Sequence, residues 1–158
     1  MFMTKFRQFV FLCTLIAAAA VGSFAQNVTV AGEIAGGPVK KGKAATAKVT
    51  LEMSSELHVN SNRPSKDYLI ATTVKPTAKG LVLGRVKYPV GHDRKFSFSA
   101  DPLNVYEGKV EFSFVVTVPR RFRGNEVSVD VAVRYQACTD EVCFPPRTKT
   151  VTLTAPVE

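Results

Sequence analysis

Val127-Ser128-Val129-Asp130-Val131-Ala132-Val133-Arg134-Tyr135-Gln136 sets valine and tyrosine at every odd position and, Ala132 apart, polar side chains between them. A period of two puts alternate side chains on opposite faces of an extended chain, so this run predicts a strand buried on one face and solvated on the other. The same stripe recurs upstream and downstream. Ala47, Val49, Leu51 and Met53 alternate with Lys48, Thr50 and Glu52. Val110, Phe112, Phe114, Val116 and Val118 form a third stripe, and Val151 and Leu153 stand between threonines in a fourth. Residues 27–33, 56–60, 67–75 and 80–88 complete the expected strands. Turn signals separate them: Gly36-Gly37-Pro38, Asn62-Arg63-Pro64, Pro76, Pro89-Val90-Gly91, Asp101-Pro102, Gly108 and Gly124-Asn125. No stretch carries a helical period over three turns. Seven to nine short strands point to an all-β fold, an immunoglobulin-like antiparallel β-sandwich, with a closed barrel as the alternative.

Residues 1–25 read as a secretory signal peptide. Lys5 and Arg7 supply a positive start, Val10 to Val21 is an uncharged apolar run, and Ser23-Phe24-Ala25 is a small-x-small cleavage site before Gln26. The run is too short to span a bilayer comfortably as a retained anchor. Cys13 lies within it and follows Leu12, not the small residue that a lipidation site needs. The expected mature domain is residues 26–158, of a size that builds a core without staples. Removing Lys5 and Arg7 from the 21 basic residues leaves 19 against 13 acidic ones, or +6. Export and the absence of an arginine-rich run argue against nucleic acid as the partner, so the charge reads as a solvated basic surface. The expected location is periplasmic or otherwise exported, after cleavage near Ala25.

Few chemical motifs are present. The sequence has no glycine-rich phosphate loop, no His-Glu-x-x-His and no Gly-x-Ser-x-Gly. Its two histidines, His58 in a strand-like run and His92 in a Gly-His-Asp turn, lack ligand spacing and read as surface or edge residues. Neither a metal nor any other cofactor is called for.

The cysteines carry the chemical signal. With Cys13 removed, Cys138 and Cys143 remain, an even count in a compartment where a disulfide persists. They fall between the valine strand and the strand from Thr148, in a connecting loop where exposure is expected. Pro145 and Pro146 stiffen its exit and keep a ladder from closing over the sulfur. Asp140 and Glu141 between the cysteines disfavour a thiolate, and Arg134 or Arg147 could offset them. On these residues alone a structural hairpin disulfide and a redox pair both stand.

The segment Tyr135-Gln136-Ala137-Cys138 … Cys143-Phe144-Pro145-Pro146-Arg147-Thr148-Lys149-Thr150-Val151 resembles the cysteine-bearing segment of the N-terminal periplasmic domain of the thiol:disulfide interchange protein DsbD. Leu57-His58-Val59-Asn60-Ser61-Asn62-Arg63-Pro64, Tyr68-Leu69-Ile70-Ala71-Thr72, Val86-Lys87-Tyr88-Pro89 and Val105-Tyr106-Glu107-Gly108 are similar to that family more loosely. The resemblance implies an immunoglobulin-like fold and a Cys138/Cys143 pair that takes electrons from a membrane partner and passes them to exported oxidised proteins. It implies that Cys143 forms the mixed disulfide and Cys138 resolves it. Full-length members continue into a membrane domain and a thioredoxin-like domain. The sequence ends at Glu158, which predicts a separate electron donor. The family also shields its cysteines with an aromatic loop residue. Residues 92–104 are the corresponding stretch, with Phe96 or Phe98 as the shield and strand core as the competing role for both.

Two functions follow: a thiol–disulfide oxidoreductase module, or a binding or structural sandwich with an inert bridge. They differ in what the bridge is for. A loop closed between Cys138 and Cys143 is short, so on the chain-entropy account it stabilises by roughly 2 kcal/mol. Reduced mature protein should therefore unfold cooperatively, with an unfolding free energy, taken from denaturant curves, lowered by no more than that amount. Loss of the cooperative transition on reduction would identify a structural bridge.

Overall fold

The computed structural model describes residues 27–158. The expected signal peptide, its cleavage site and Cys13 lie outside the described residues. Eleven strands and no helix make up the described chain. They are β1 (Val28–Ile34), β2 (Ala44–Met53), β3 (His58–Asn60), β4 (Thr73–Thr77), β5 (Val82–Leu83), β6 (His92–Arg94), β7 (Leu103–Glu107), β8 (Lys109–Thr117), β9 (Glu126–Tyr135), β10 (Ala137–Cys138) and β11 (Arg147–Pro156). Three antiparallel sheets form, in the orders β1-β2-β8-β5, β11-β9-β4 and β10-β3-β7-β6. The architecture is the expected all-β, immunoglobulin-like sandwich.

The long stripes build its two main layers. Ala47, Val49 and Leu51 from β2 and Phe112, Phe114 and Val116 from β8 are buried. They share one core with Val127, Val129, Val131, Val133 and Tyr135 from β9 and Leu153 and Ala155 from β11. Each valine on β9 is wholly inaccessible, and the residues between them face outward. Tyr88 and Tyr106 meet the Phe112 ring edge-on, at centroid distances of 5.5 and 5.9 Å. That geometry suits the ring quadrupoles.

The short strands differ from the sequence reading. Of residues 67–75 only Thr73 to Lys75 pair with β9, in a strand that continues to Thr77. Residues 67–72 form a loop. Residues 80–88 contribute just Val82–Leu83 to β8, plus an isolated bridge from Lys87 to Ser113. Strands β6, β7 and β10 are additional. At the β7–β8 turn Gly108 takes a φ of +62°, in the left-handed region that glycine enters without penalty. Its carbonyl accepts a 3.0 Å hydrogen bond from the Met53 amide.

The third sheet positions the site. Strand β9 ends at Tyr135, and two residues later the same chain, as β10, pairs with β3. Gln136 marks this change of sheet, and its amide donates 3.1 Å to the Phe144 carbonyl. Val59, Tyr106 and Ala137 face the main core. The opposite face of the sheet carries Leu103 and Val105, which form a second, small cluster with Phe96 and Leu69.

Truncating Phe112 to alanine should remove the ring at the centre of the main core and cost about 3–5 kcal/mol. Val115 lies on the outer face of the same strand and is 40% exposed, and its change to alanine should fall within about 0.5 kcal/mol. Urea denaturation of the two variants checks the contrast.

Candidate functional site

The cysteine hairpin is built by its backbone. The Thr139 amide donates to the Val142 carbonyl at 2.8 Å, and the Phe144 amide to the Ala137 carbonyl at 2.9 Å. Thr139 Oγ1 accepts from the amides of Glu141 and Val142 at 3.2 and 3.1 Å, closing the tip. A Cys138–Cys143 disulfide bridges the hairpin, with Cα atoms 4.0 Å apart. Exposure differs between the two cysteines. Cys143 is exposed, as expected of a loop, whereas Cys138 is only 1% exposed. The sequence places both cysteines in a connecting loop where exposure is expected, but β10 draws Cys138 into the third sheet.

Register sets up the rest of the site. Cys143 is bridged to Cys138, Cys138 is paired with His58, and His58 is paired with Glu107. Directly opposed residues of antiparallel strands project to one face. Cys143, Cys138, His58 and Glu107 thus form one cross-strand row on the face away from the main core. His92 and Arg94, opposite Val105 and Leu103, lie on that face too.

His58 is not the surface or edge residue that the sequence suggests. It occupies an inner strand and is 1% exposed. Phe96 stacks on its ring at a centroid distance of 4.3 Å, and Nδ1 finds no hydrogen-bond partner among the described residues. Burial holds its pKa below the ordinary value, with Arg94 acting in the same direction and Glu107 and Asp140 opposing. His92 is an exposed edge-strand residue, 2.7 Å from Glu107 Oε2. Partial burial pushes the Glu107 carboxyl upward, but hydrogen bonds from His92 and Arg94 and their charges outweigh it and hold the group low.

The cation that pairs with Asp140 is Arg94, not Arg134 or Arg147. Arg94 donates to Glu107 Oε1 through Nη1 and to both carboxylate oxygens of Asp140 at 2.9 Å through Nη2. Its guanidinium also sits 5.0 Å from the Phe96 ring centroid. The hairpin is therefore tied to β6 and β7 by one side chain, and the charge of Asp140 is answered from across the site. Arg94 lies 46 positions from Asp140, and no local spacing in the sequence could have exposed the pairing.

Neither phenylalanine has the strand-core role that the sequence offered as an alternative, since both lie outside the strands. Phe96 is buried on His58, yet it lies outside any strand. Phe98 stacks on Phe96 at 5.2 Å, is 52% exposed and lines a cleft together with Cys143. Tyr68, Leu69, Leu103 and Gln136 line the same cleft. The loop of residues 61–72 and the loop of residues 95–102 are joined at its rim by Lys66 Nζ and Asp101 Oδ2, 2.7 Å apart. No group of three or more His, Cys, Asp or Glu side chains gathers into a metal site among the described residues.

The family model described as thiol:disulfide interchange protein DsbD, N-terminal, matches residues 27–155. Among solved structures, the N-terminal periplasmic domain of ScsB from Proteus mirabilis is similar with a TM-score of 0.50 at 9% identity. The match covers 80% of this chain and 44% of that one, so this chain spans less than half of the ScsB chain, and the likeness is one of fold. The GAE domain of GGA2p from Saccharomyces cerevisiae matches over 80% of this chain and 89% of its own, at 13% identity and a TM-score of 0.45. No curated protein matches the sequence.

The lowered His58 pKa links stability to pH. The unfolded chain binds a proton at this residue near pH 6.5 and the folded chain only below that. Its contribution is fully present above pH 6.5 and is lost as pH falls from there through the folded-state pKa. Urea midpoints of the oxidised protein should decline between pH 7 and pH 5, and His58→Phe should flatten that decline.

Proposed function

The chain belongs to the family of DsbD N-terminal domains, and on that premise we propose that it is a periplasmic thiol–disulfide exchange module working through Cys138 and Cys143. It receives electrons from a membrane reductant and passes them to exported oxidised proteins. The observation that carries this reading is the unequal exposure of the two sulfurs. A partner can reach Cys143 from the cleft beside Phe98, whereas Cys138 is enclosed by the third sheet.

Exchange runs by thiolate attack on a disulfide sulfur. In the reduced module the Cys143 thiolate attacks the partner's disulfide. A bond forms between Cys143 Sγ and one partner sulfur, and the other partner sulfur leaves as a thiolate. Cys138 then attacks Cys143 Sγ, the Cys138–Cys143 bond forms, and the partner departs with both of its sulfurs reduced. Two electrons have moved to the partner. The membrane reductant restores the dithiol by the reverse sequence of bond changes.

The hairpin suits this cycle. Besides the disulfide, its own backbone hydrogen bonds and the Arg94–Asp140 contact hold its shape. Beyond Phe144, Pro145 and Pro146 have no amide donors, so no neighbouring strand can pair with the chain there. Phe98 stands over the cleft as the aromatic shield, and Phe96 beneath it supports the stack.

Cys138→Ala should accumulate a stable mixed disulfide through Cys143, because nothing remains to resolve it. Cys143→Ala should trap little. Non-reducing electrophoresis of each variant from its periplasm, followed by mass spectrometry of the linked peptide, reads the result. Equal trapping by both variants removes the assignment of roles. Trapping by neither, with the bridge formed in the parent protein, contradicts exchange itself.

A further inference from the structure

His58 is the member of the cross-strand row next to Cys138, and the exchange cycle as described leaves it unused. It is paired directly with Cys138, which puts the two β-carbons about 5 Å apart on the same face of the sheet. It is as buried as Cys138, and its Nδ1 has no partner among the described residues. A buried polar atom without a partner is costly and rare, and such atoms concentrate where function needs them. Its neighbour in the row is a sulfur that must act as a thiolate in the second step. Thiols in apolar surroundings hold their proton more tightly, so that step needs an acceptor within the site.

We propose that His58 Nδ1 is the proton acceptor for Cys138 when this sulfur resolves the mixed disulfide. The inference rests on the exchange reading above. In the mixed disulfide, Cys138 is a thiol facing the neutral imidazole. Its proton passes to Nδ1, and the resulting thiolate attacks Cys143 Sγ. The Cys138–Cys143 bond forms, the bond from Cys143 to the partner breaks, and the partner sulfur leaves with the electron pair. That thiolate takes up the proton that His58 has held, directly or through solvent, and the imidazole is neutral again.

The surroundings fit the role. Burial and the Arg94 guanidinium keep the imidazole unprotonated near neutral pH, so the acceptor is free. Glu107 from β7 and Asp140 from the hairpin favour the transient imidazolium, and His92 stands behind Glu107. Phe96 fixes the ring plane by stacking. The Glu107 carboxylate is engaged by His92 and Arg94, which leaves His58 Nδ1 unclaimed.

The test uses the reduced mature protein and 5,5′-dithiobis(2-nitrobenzoate) as the disulfide. Attack by Cys143 releases one equivalent of chromophore at a rate proportional to reagent. Resolution by Cys138 releases a second equivalent at a rate independent of reagent. In His58→Phe, which keeps an aromatic ring against Phe96, the second step at pH 7 should slow about 100-fold, the lower range for general base catalysis, while the first step is unchanged. The parent protein supplies a second measurement that needs no variant. Its resolution rate should be level between pH 7 and pH 8, above the imidazole titration. A rate rising about tenfold per pH unit there marks ordinary thiolate formation and overturns the proposal, as does an unchanged second step in the variant. A reduced chain that releases no chromophore overturns exchange through Cys143 itself, and this inference with it.

Discussion

The buried face of β9 is the constraint on which the other features depend. Val127, Val129, Val131, Val133 and Tyr135 are fully inaccessible and fill the space against β2 and β8. A shift of one residue in β9 would turn every one of them to solvent and bring Ser128, Asp130 and Arg134 into the core. The register is therefore pinned, and with it the position of everything directly downstream. The chain leaves β9 at Tyr135 and reaches Cys138 after only Gln136 and Ala137. The core strand thus delivers Cys138 to β3, and β3 sets His58 beside it. Chemistry on the far face of the third sheet is positioned by packing in the first two.

Electrostatics then shape what packing has placed. Arg94 touches Glu107, Asp140 and the face of Phe96 from one side chain. Its contact with Asp140 is largely exposed, and a pair of that kind contributes about 0–1 kcal/mol. Geometry is the larger contribution: the guanidinium links the cysteine hairpin to β6 and β7 without a continuous strand between them. It also answers the acidic charge that the sequence places between the cysteines.

The parts of the fold legible in the sequence are those where one physical rule acts alone. In β2, β8 and β9 the alternation is long and unbroken, because one face is core and the other is water. In β11 Thr150, Thr152 and Thr154 mark the outward face, and Leu153 and Ala155 the inward one. The short strands obey several rules at once. All three residues of β3 are buried, since its two faces cover different clusters, so alternation disappears there. In residues 67–72, Tyr68 and Leu69 line a cleft rather than a sheet, and Tyr68 is 76% exposed. At the site, the cysteine pair stood out because its context is local. The places of His58 and Arg94 did not, because they depend on the His58–Cys138 and Arg94–Asp140 pairings, 80 and 46 residues apart in the chain. The one available signal for His58 was its place among strand residues that must be buried, Leu57 and Val59.

If the Cys138–Cys143 bridge exists for exchange, the equilibrium reduction potential of the mature protein shows it most directly. Redox buffers of known composition, with the two states separated by thiol alkylation, give the value. Structural bridges in exported proteins lie below about −300 mV, whereas exchanging ones are more easily reduced. A potential above about −300 mV is the result predicted here, and one well below it would contradict the account and leave an inert bridge on a sandwich.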